Sequence, residues 1–366
     1  MSSQTKQKIA VLFGGRSCEH EVSVSSARAM LPHIDRDRFD IVLIGITKQG
    51  DWRLLNEGSN ALAQASVDAD GTERLMVDHN GNAQFLVSGT HGASALAVDV
   101  VFPLLHGPFG EDGTVQGLLE LAGIPIIGCG VAASALGMDK ELSKRMFKAE
   151  GLAQVEYTVV RRSRWQQRAD AVLLEVAGQL GFPVYVKPAR MGSSVGVSRA
   201  NSAAELRAAL NEAARFDTKM IIETAALGYR EIECAVLGNE APEASVVGEI
   251  TPASGFYDYA AKYVTGTSKV TIPAQISNST SAQIRAMAVT AFRAIGASGL
   301  ARVDFFVAPD DTILINEVNT MPGFTPVSMY PQLWEASGVS YGELISRLAE
   351  LALARHAEHT LCETSM

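Results

Sequence analysis

The residues with the clearest chemical potential are Asp304, Glu317 and Asn319, with Arg302 beside them. Arg302-Val303-Asp304-Phe305-Phe306-Val307 reads as a strand, Ala308-Pro309-Asp310-Asp311 as a turn, and Leu314-Ile315-Asn316-Glu317-Val318-Asn319 as the returning strand. Side chains alternate faces along a strand. Arg302 and Asp304 therefore share one face, as do Glu317 and Asn319, and a hairpin would gather all four into one patch. Two carboxylates and an amide are hard oxygen ligands of the kind magnesium shares with substrate phosphates. Val303, Phe305 and Val307 fill the opposite face. Carboxylates converging on a strand so rooted in the core need a cation. The competing reading is the solvated face of an edge hairpin.

A phosphate-bearing partner for such a metal would need cations and backbone donors. Val184-Tyr185-Val186-Lys187-Pro188 is a strand carrying a lysine among apolar residues. Gly192-Ser193-Ser194-Val195-Gly196 follows it, a flap whose N–H groups can wrap phosphate oxygens. It lacks the spacing of a P-loop. Lys140 and Lys144 lie on one side of an expected helix, where solvent exposure is the ordinary reading. The strand Lys219–Glu223 runs into a linker around Ala226 that could hold an adenine. Glu231 and Glu233 share a face of the next strand. Gly128-Cys129-Gly130-Val131-Ala132-Ala133 fits a permissive dinucleotide pattern, which would make the protein a dehydrogenase. It comes late in the α/β region, and no strand ending in an acidic residue follows.

These residues need a scaffold. The 366 residues favour two or three domains, and 47% hydrophobic content supplies a core. A net charge of -9 argues against a sequence-independent nucleic-acid binder. The four cysteines show no C-x-x-C, so neither zinc nor a disulfide framework is expected. With neither an apolar signal core nor a stretch near the ~18 apolar residues of a membrane span, the expectation is a cytoplasmic protein without membrane association. Lys8–Phe13, Phe39–Thr47, Val98–Gly107 and Ile124–Gly128 read as strands, alternating with helices over residues 22–30 and 114–123, the latter capped by Thr114. That alternation suggests a small doubly wound domain, with Glu21 at a strand's carboxyl end, where ligands bind in open α/β sheets. A single helix is expected through Met138, Leu142 and Phe147. Residues 251–273, with Tyr257, Tyr259 and Tyr263, read as a lid.

Taken together, the motifs resemble those of the ATP-grasp carboxylate–amine ligases and, within them, the D-alanine:D-alanine ligase family, over nearly the whole chain. They are Phe13-Gly14-Gly15 with His20-Glu21-Val22-Ser23, His106-Gly107 with Gly110-Glu111-Asp112-Gly113-Thr114, Met138-Asp139-Lys140, and Val186-Lys187-Pro188. Gly192-Ser193-Ser194-Val195-Gly196, Tyr257-Asp258-Tyr259 with Ala261-Lys262-Tyr263, Arg302-Val303-Asp304, and Asn316-Glu317-Val318-Asn319-Thr320 with Pro322-Gly323 complete the order.

The resemblance implies an α/β ATP-grasp fold of three domains, placed here at 1–127, 128–226 and 227–366, with ATP between the second and third. It implies Lys140 and Lys187 on the phosphates under the Ser193-Ser194 loop, with Glu223 on the adenine amine, Ala226 beside it and Glu231 on the ribose. Asp304, Glu317 and Asn319 would hold two magnesium ions, with manganese able to substitute. Glu21 would receive the ammonium of the first D-alanine and His106 would line the substrate site. Ser328 and the Met329 backbone would bind the carboxylate of the second D-alanine, while Arg302 and the Gly323 N–H would face the oxyanion. Lys262 and Tyr263 would sit on the lid, with Tyr263 meeting Ser193 and Glu21 on closure. The implied reaction makes D-alanyl-D-alanine for peptidoglycan precursors through an acyl phosphate, in a cytoplasmic homodimer. D-lactate or D-serine as acceptor is the alternative. Ala260 stands where the lid commonly has glutamate, and Thr224 where the adenine linker commonly has lysine.

Overall fold

The computed structural model describes residues 6–64, 66–67, 73–78, 83–89, 92–251 and 269–362. The first region comprises β1 (Gln7–Gly14), α1 (His20–Met30), β2 (Phe39–Ile46), β3 (Trp52–Leu55), α2 (Asn60–Gln64), β4 (Glu73–Asp78), β5 (Gln84–Gly89), β6 (Gly92–Ala97) and β7 (Val100–Pro103). Its sheet has the order β6-β5-β4-β3-β2-β1-β7. Only β2, β1 and β7 run parallel; β3 to β6 add antiparallel hairpins. The doubly wound part is thus confined to three strands. The β1 run is apolar throughout because a central parallel strand is covered on both faces, and Ile9 to Phe13 are all at 0% exposure.

Residues 124–128 differ from expectation. They make one bridge, Ile126 to Val101, rather than a strand. Pro125 lacks the N–H that would extend the ladder. The next helix, α3 (Thr114–Leu121), also starts differently: Gly113, at φ +90°, is its N-cap, and Thr114 is the first helical residue. Asp112 supplies the side-chain oxygen instead, accepting from Thr114 N at 3.0 Å.

The single helix expected through Met138, Leu142 and Phe147 is two, α4 (Val131–Met138) and α5 (Lys140–Ala149). Asp139 breaks them with an extended ψ, and its carboxylate accepts from Glu141 N and Leu142 N. Such a cap is worth about 1 kcal/mol. Both helices lean on the third sheet, and Phe147 shares a core with Ile232, Phe305 and Ile315.

The second sheet follows: β8 (Tyr157–Arg161), α6 (Arg162–Gln167), α7 (Ala169–Leu180), β9 (Val184–Pro188), β10 (Ser198–Ala200), α8 (Ala203–Phe216) and β11 (Lys219–Thr224). Its four antiparallel strands are ordered β10-β9-β11-β8. The third comprises β12 (Arg230–Gly238), β13 (Glu243–Thr251), β14 (Lys269–Thr271), α9 (Asn278–Ala294), β15 (Gly299–Val307) and β16 (Ile313–Asn319), ordered β14-β13-β12-β15-β16. Helix α9 buries Ile284, Ala288, Ala291 and Phe292 against it, one stripe at helical spacing.

Helices α10 (Met329–Ala336) and α11 (Tyr341–His359) end the fold. They close a core that joins the first and third sheets: Leu344 and Leu348 pack in one cluster with Ile9, Phe102 and Leu237. Arg355 donates to the carbonyls of Ile126 at 2.9 Å and Gly128 at 2.6 Å, and to Ser298. Beside it the backbones of Gly128 and Gly299 cross so closely that a Cβ on Gly299 would sit 3.0 Å from Gly128 Cα. Both glycines also have positive φ.

Candidate active site

Strand periodicity assembles the acidic face as expected. In the β15–β16 ladder Arg302 lies opposite Asn319 and Asp304 opposite Glu317. The β12–β15 ladder adds Glu233 opposite Asp304. A register shift beyond Asp304 and Glu317 returns the strands to their apolar pairing. Arg302 grips Asp304 with two bonds of 2.7 Å and stands 2.9 Å from Glu233 Oε2. Burial opposes its charge, but Asp304 and Glu233 prevail and hold the guanidinium more firmly protonated than usual. Asn319 Oδ1 accepts from Met321 N at 3.1 Å.

Two carboxylates and an amide fit magnesium. Among the described residues no group of three His, Cys, Asp or Glu is placed to hold a metal ion by itself. A set that leaves coordination to water and phosphate is the kind magnesium uses.

This face forms one wall of a cavity of about 390 Å³ between the second and third sheets, within the range of small-molecule sites. Lys187, on β9, comes from the opposite sheet, with Lys140, Ser194, Glu223, Thr224, Ala226 and Glu231 also lining the cavity. Lys140 opens α5 because of the Asp139 break, and its Nζ donates to Met191 O at 2.9 Å and lies 3.6 Å from Glu317. Lys187 Nζ is 2.5 Å from Glu223 Oε2, and Lys144 Nζ is 2.8 Å from Oε1. Burial would raise the Glu223 carboxyl, but the two lysines override it and hold it down to about 2. Ser193 and Ser194 both adopt positive φ, +45° and +59°, as consecutive non-glycine residues. Such conformations are costly and concentrate at functional loops.

A second, smaller cavity of about 110 Å³ adjoins the first, and Arg302, Glu233 and Ser193 line both. His106, Gly323, Ser328 and Met329 are in its wall, as expected. Gly323 is required by close approach, since a Cβ there would meet Ser328 Oγ at 2.7 Å. Ser328 Oγ pairs with Thr325 Oγ1 at 2.8 Å. His106 Nδ1–H donates to Met321 O at 3.2 Å, leaving Nε2 to accept from Ser26. Burial brings its pKa down to about 4, so the imidazole is neutral.

Glu21 is not in this wall. Helix α1 begins at His20, two residues earlier than expected, which turns Glu21 outward to pair with Lys48. Lys48 also lowers its carboxyl pKa. Glu19, just before the helix, is 5% exposed, lines the cavity and accepts a hydrogen bond from Ser193. Glu111 is the second acid that sequence reasoning missed. It accepts from Gly107 N at 2.5 Å, and burial together with the Glu19 charge pushes its carboxyl up to about 8. Lys144, read as exposed, is 1% exposed. Its position on the same stripe as Phe147 was the available signal. Tyr257, Ala260, Lys262 and Tyr263 lie outside the described residues.

This arrangement has close counterparts among known proteins. A model of the D-ala D-ala ligase N-terminus matches residues 8–129, and one of the D-ala D-ala ligase C-terminus matches residues 146–350. The D-alanine–D-alanine ligase of Heliobacterium modesticaldum is 49% identical over 356 residues, 96% of each chain. That of Geobacillus kaustophilus is 48% identical with the same coverage. Among solved structures, the VanG D-Ala:D-Ser ligase from Enterococcus faecalis superposes with a TM-score of 0.85 at 38% identity, covering 95% of this chain and 100% of its own. The D-alanine–D-alanine ligase from Coxiella burnetii gives 0.83 at 34% identity, covering 97% of this chain and 96% of its own. The fold is therefore the α/β ATP-grasp fold of those enzymes, and Lys187, Glu223 and the acidic hairpin sit within the residues matched by the C-terminal model. On this evidence the chain belongs to the D-alanine–D-alanine ligase family.

Proposed function

We propose that the chain joins two D-alanine molecules into D-alanyl-D-alanine, consuming ATP and releasing ADP and phosphate, for peptidoglycan precursors. The observation that carries this reading is Arg302, which lines both the lysine-walled cavity and the smaller one beyond it. A group there can serve a phosphoryl transfer on one side and an acyl transfer on the other.

Lys140 and Lys187 would take the phosphates beneath Ser193 and Ser194, with Glu223, Ala226 and Glu231 around adenine and ribose. Asp304, Glu317 and Asn319 would hold magnesium, with manganese able to substitute. When bound, the metal neutralises charge on the phosphate oxygens. Glu19, steadied by Ser193, would receive the ammonium of the first D-alanine. A carboxylate oxygen of that first D-alanine attacks the γ-phosphorus in line, ADP leaves, and D-alanyl phosphate remains. The amine of the second D-alanine, having lost a proton, attacks the acyl carbon and expels phosphate. Arg302 and the Gly323 N–H would face the oxyanion. Ser328 and the Met329 N–H would hold the second carboxylate, since the first N–H groups of a helix have no intrahelical partner.

We also infer domain boundaries near 127/128 and 226/227, a cytoplasmic setting and a homodimer. The uncharged, exposed β6 (Gly92–Ala97) supports the dimer, because an unprotected sheet edge invites a strand from a second copy. Among the described residues no helix is long and apolar enough to cross a membrane.

The decisive test is phosphate release from Mg-ATP with D-alanine, beside D-lactate, D-serine and L-alanine. Release with D-alanine alone, with dipeptide as product, is expected. Release only with D-lactate or D-serine present would move the reading to a different acceptor.

A further inference from the structure

Lys144 poses a question that the reaction leaves unanswered. Its side chain is 1% exposed, on the second turn of α5, facing Glu223 at 2.8 Å and the Tyr157 ring at 5.6 Å. Burying an ammonium costs several kcal/mol even when it is paired, and apolar replacements of buried ion pairs are often neutral or better. A lysine there solely to fill space would be a poor solution. Neither Lys144 Nζ nor Glu223 Oε1 has an aligned hydrogen bond among the described residues. The two charges face each other at ion-pair distance without that alignment.

Their neighbourhood divides the two lysines on Glu223 by task. Lys187 lines the nucleotide cavity, while Lys144 lies behind Glu223 and outside the cavity wall. Lys187 can therefore turn from Glu223 Oε2 to a phosphate without leaving the cavity. Lys144, with 1% exposure, stays where it is. A Glu223 abandoned by Lys187 and lacking Lys144 would be a buried, unpaired carboxylate.

We propose that Lys144 is a positioning residue for purine recognition: it holds Glu223 Oε1 from behind, freeing Oε2 to accept from the 6-amino group of adenine when Lys187 moves to phosphate. The inference rests on the nucleotide reading given above. It carries a specificity consequence. Guanine presents a carbonyl oxygen where adenine presents an amine, and a carboxylate oxygen fixed at that point repels it. Without Lys144, Glu223 keeps Lys187 as its remaining cation, so phosphate and purine recognition weaken together.

Calorimetric titration of ADP and GDP into the full-length protein tests this, comparing the parent chain with Lys144→Met, which preserves side-chain length without charge. The parent should prefer ADP. Lys144→Met should bind ADP about tenfold more weakly, and the ADP-to-GDP preference should shrink by about tenfold, the scale on which buried hydrogen-bond readout discriminates. The KM for ATP should rise by a larger factor than kcat falls. A folded Lys144→Met with an unchanged ADP-to-GDP ratio overturns the proposal, because a packing role alone would leave that ratio intact. Should Lys144→Met not fold, Lys144→Met with Glu223→Gln removes both charges. That double variant should lose the preference for ADP, and retention of the preference overturns the proposal. A parent chain that binds neither nucleotide defeats the nucleotide reading itself, an outcome distinct from a parent that binds both equally, which defeats the adenine readout by Glu223 and with it the role of Lys144.

Discussion

The β15–β16 hairpin and the loop before α1 both present carboxylates to the same pair of cavities, yet they are built on different principles. On the hairpin, the period-2 alternation of a strand fixes which side chains converge, and the ladder pairs Asp304 with Glu317 regardless of what lies elsewhere. At the loop, Glu19 and Glu21 are two residues apart and have opposite fates. One is buried against Ser193, and the other is in solvent with Lys48. The start of one helix decides between them. Positions set by a repeating geometry are robust; positions set by where an element begins depend on a single boundary.

The hairpin side of this contrast is most sharply tested at Arg302. Arg302→Met should lower kcat by roughly 10²–10³, the range seen when an oxyanion donor is removed, with ATP affinity little changed. It also strips the counter-charge from Asp304 and Glu233, so the metal-free variant should melt earlier, and added Mg²⁺ should recover part of that loss. Unchanged turnover would remove Arg302 from the chemistry.

Glu19→Gln and Glu21→Gln together probe the loop side. The first should reduce kcat/KM for D-alanine by about tenfold or more, as expected when a charged hydrogen-bond partner is lost from a buried site. The second should stay within about twofold, because its carboxylate serves an exposed pair. Reversed effects would restore Glu21 to the site.

A smaller effect is expected at Glu111 and appears in stability. The folded protein keeps this carboxyl protonated up to about 8, whereas the unfolded chain releases the proton near 4.5. Between those values the folded state binds more protons, so this contribution to stability falls as pH rises. Glu111→Gln should therefore melt above the parent chain at about pH 9 in the absence of ligands, and lose that advantage at about pH 5.

The smallest effect is Asp139→Ala. It removes the cap that splits α4 from α5 and one of the two carboxylates on the buried Lys219, the other being Glu141. A cost of roughly 1–3 kcal/mol is expected, shifting Tm by about 2–4 °C for each. KM for ATP should rise with it, because Lys140 owes its position to that break.

The same contrast explains what the sequence disclosed. Long, apolar or alternating strands were legible: β1, β2, β9, β12, β15 and β16 lie where their patterns put them, and the acidic-face residues came with the hairpin. Gly and Ser around 192–196 marked the flap because few residues tolerate its left-handed turns. Three kinds of information were hidden. Asp139 breaks a run with good helix formers on both sides, so propensity shows one helix where capping makes two. Lys144 is charged, and charge on an amphipathic helix reads as exposure until the buried partner 79 residues later is in view. Glu111 and Glu19 become neighbours only when two separate loops meet, a tertiary fact without local signature.

Arg355 and the helix that carries it also bear on how the chain is made. The core of the first sheet is finished by Leu344 and Leu348, and the seam at Ile126 and Gly128 is closed by Arg355. All three leave the ribosome roughly 240–250 residues after the first sheet, a delay of about 10–50 s at usual elongation rates. Throughout that interval the nascent chain shows the part of its Ile9 and Phe102 cluster that α11 later covers. Synthesis order and packing order therefore run in opposite directions, and truncations that remove the last helix should yield aggregates rather than a free-standing N-terminal domain.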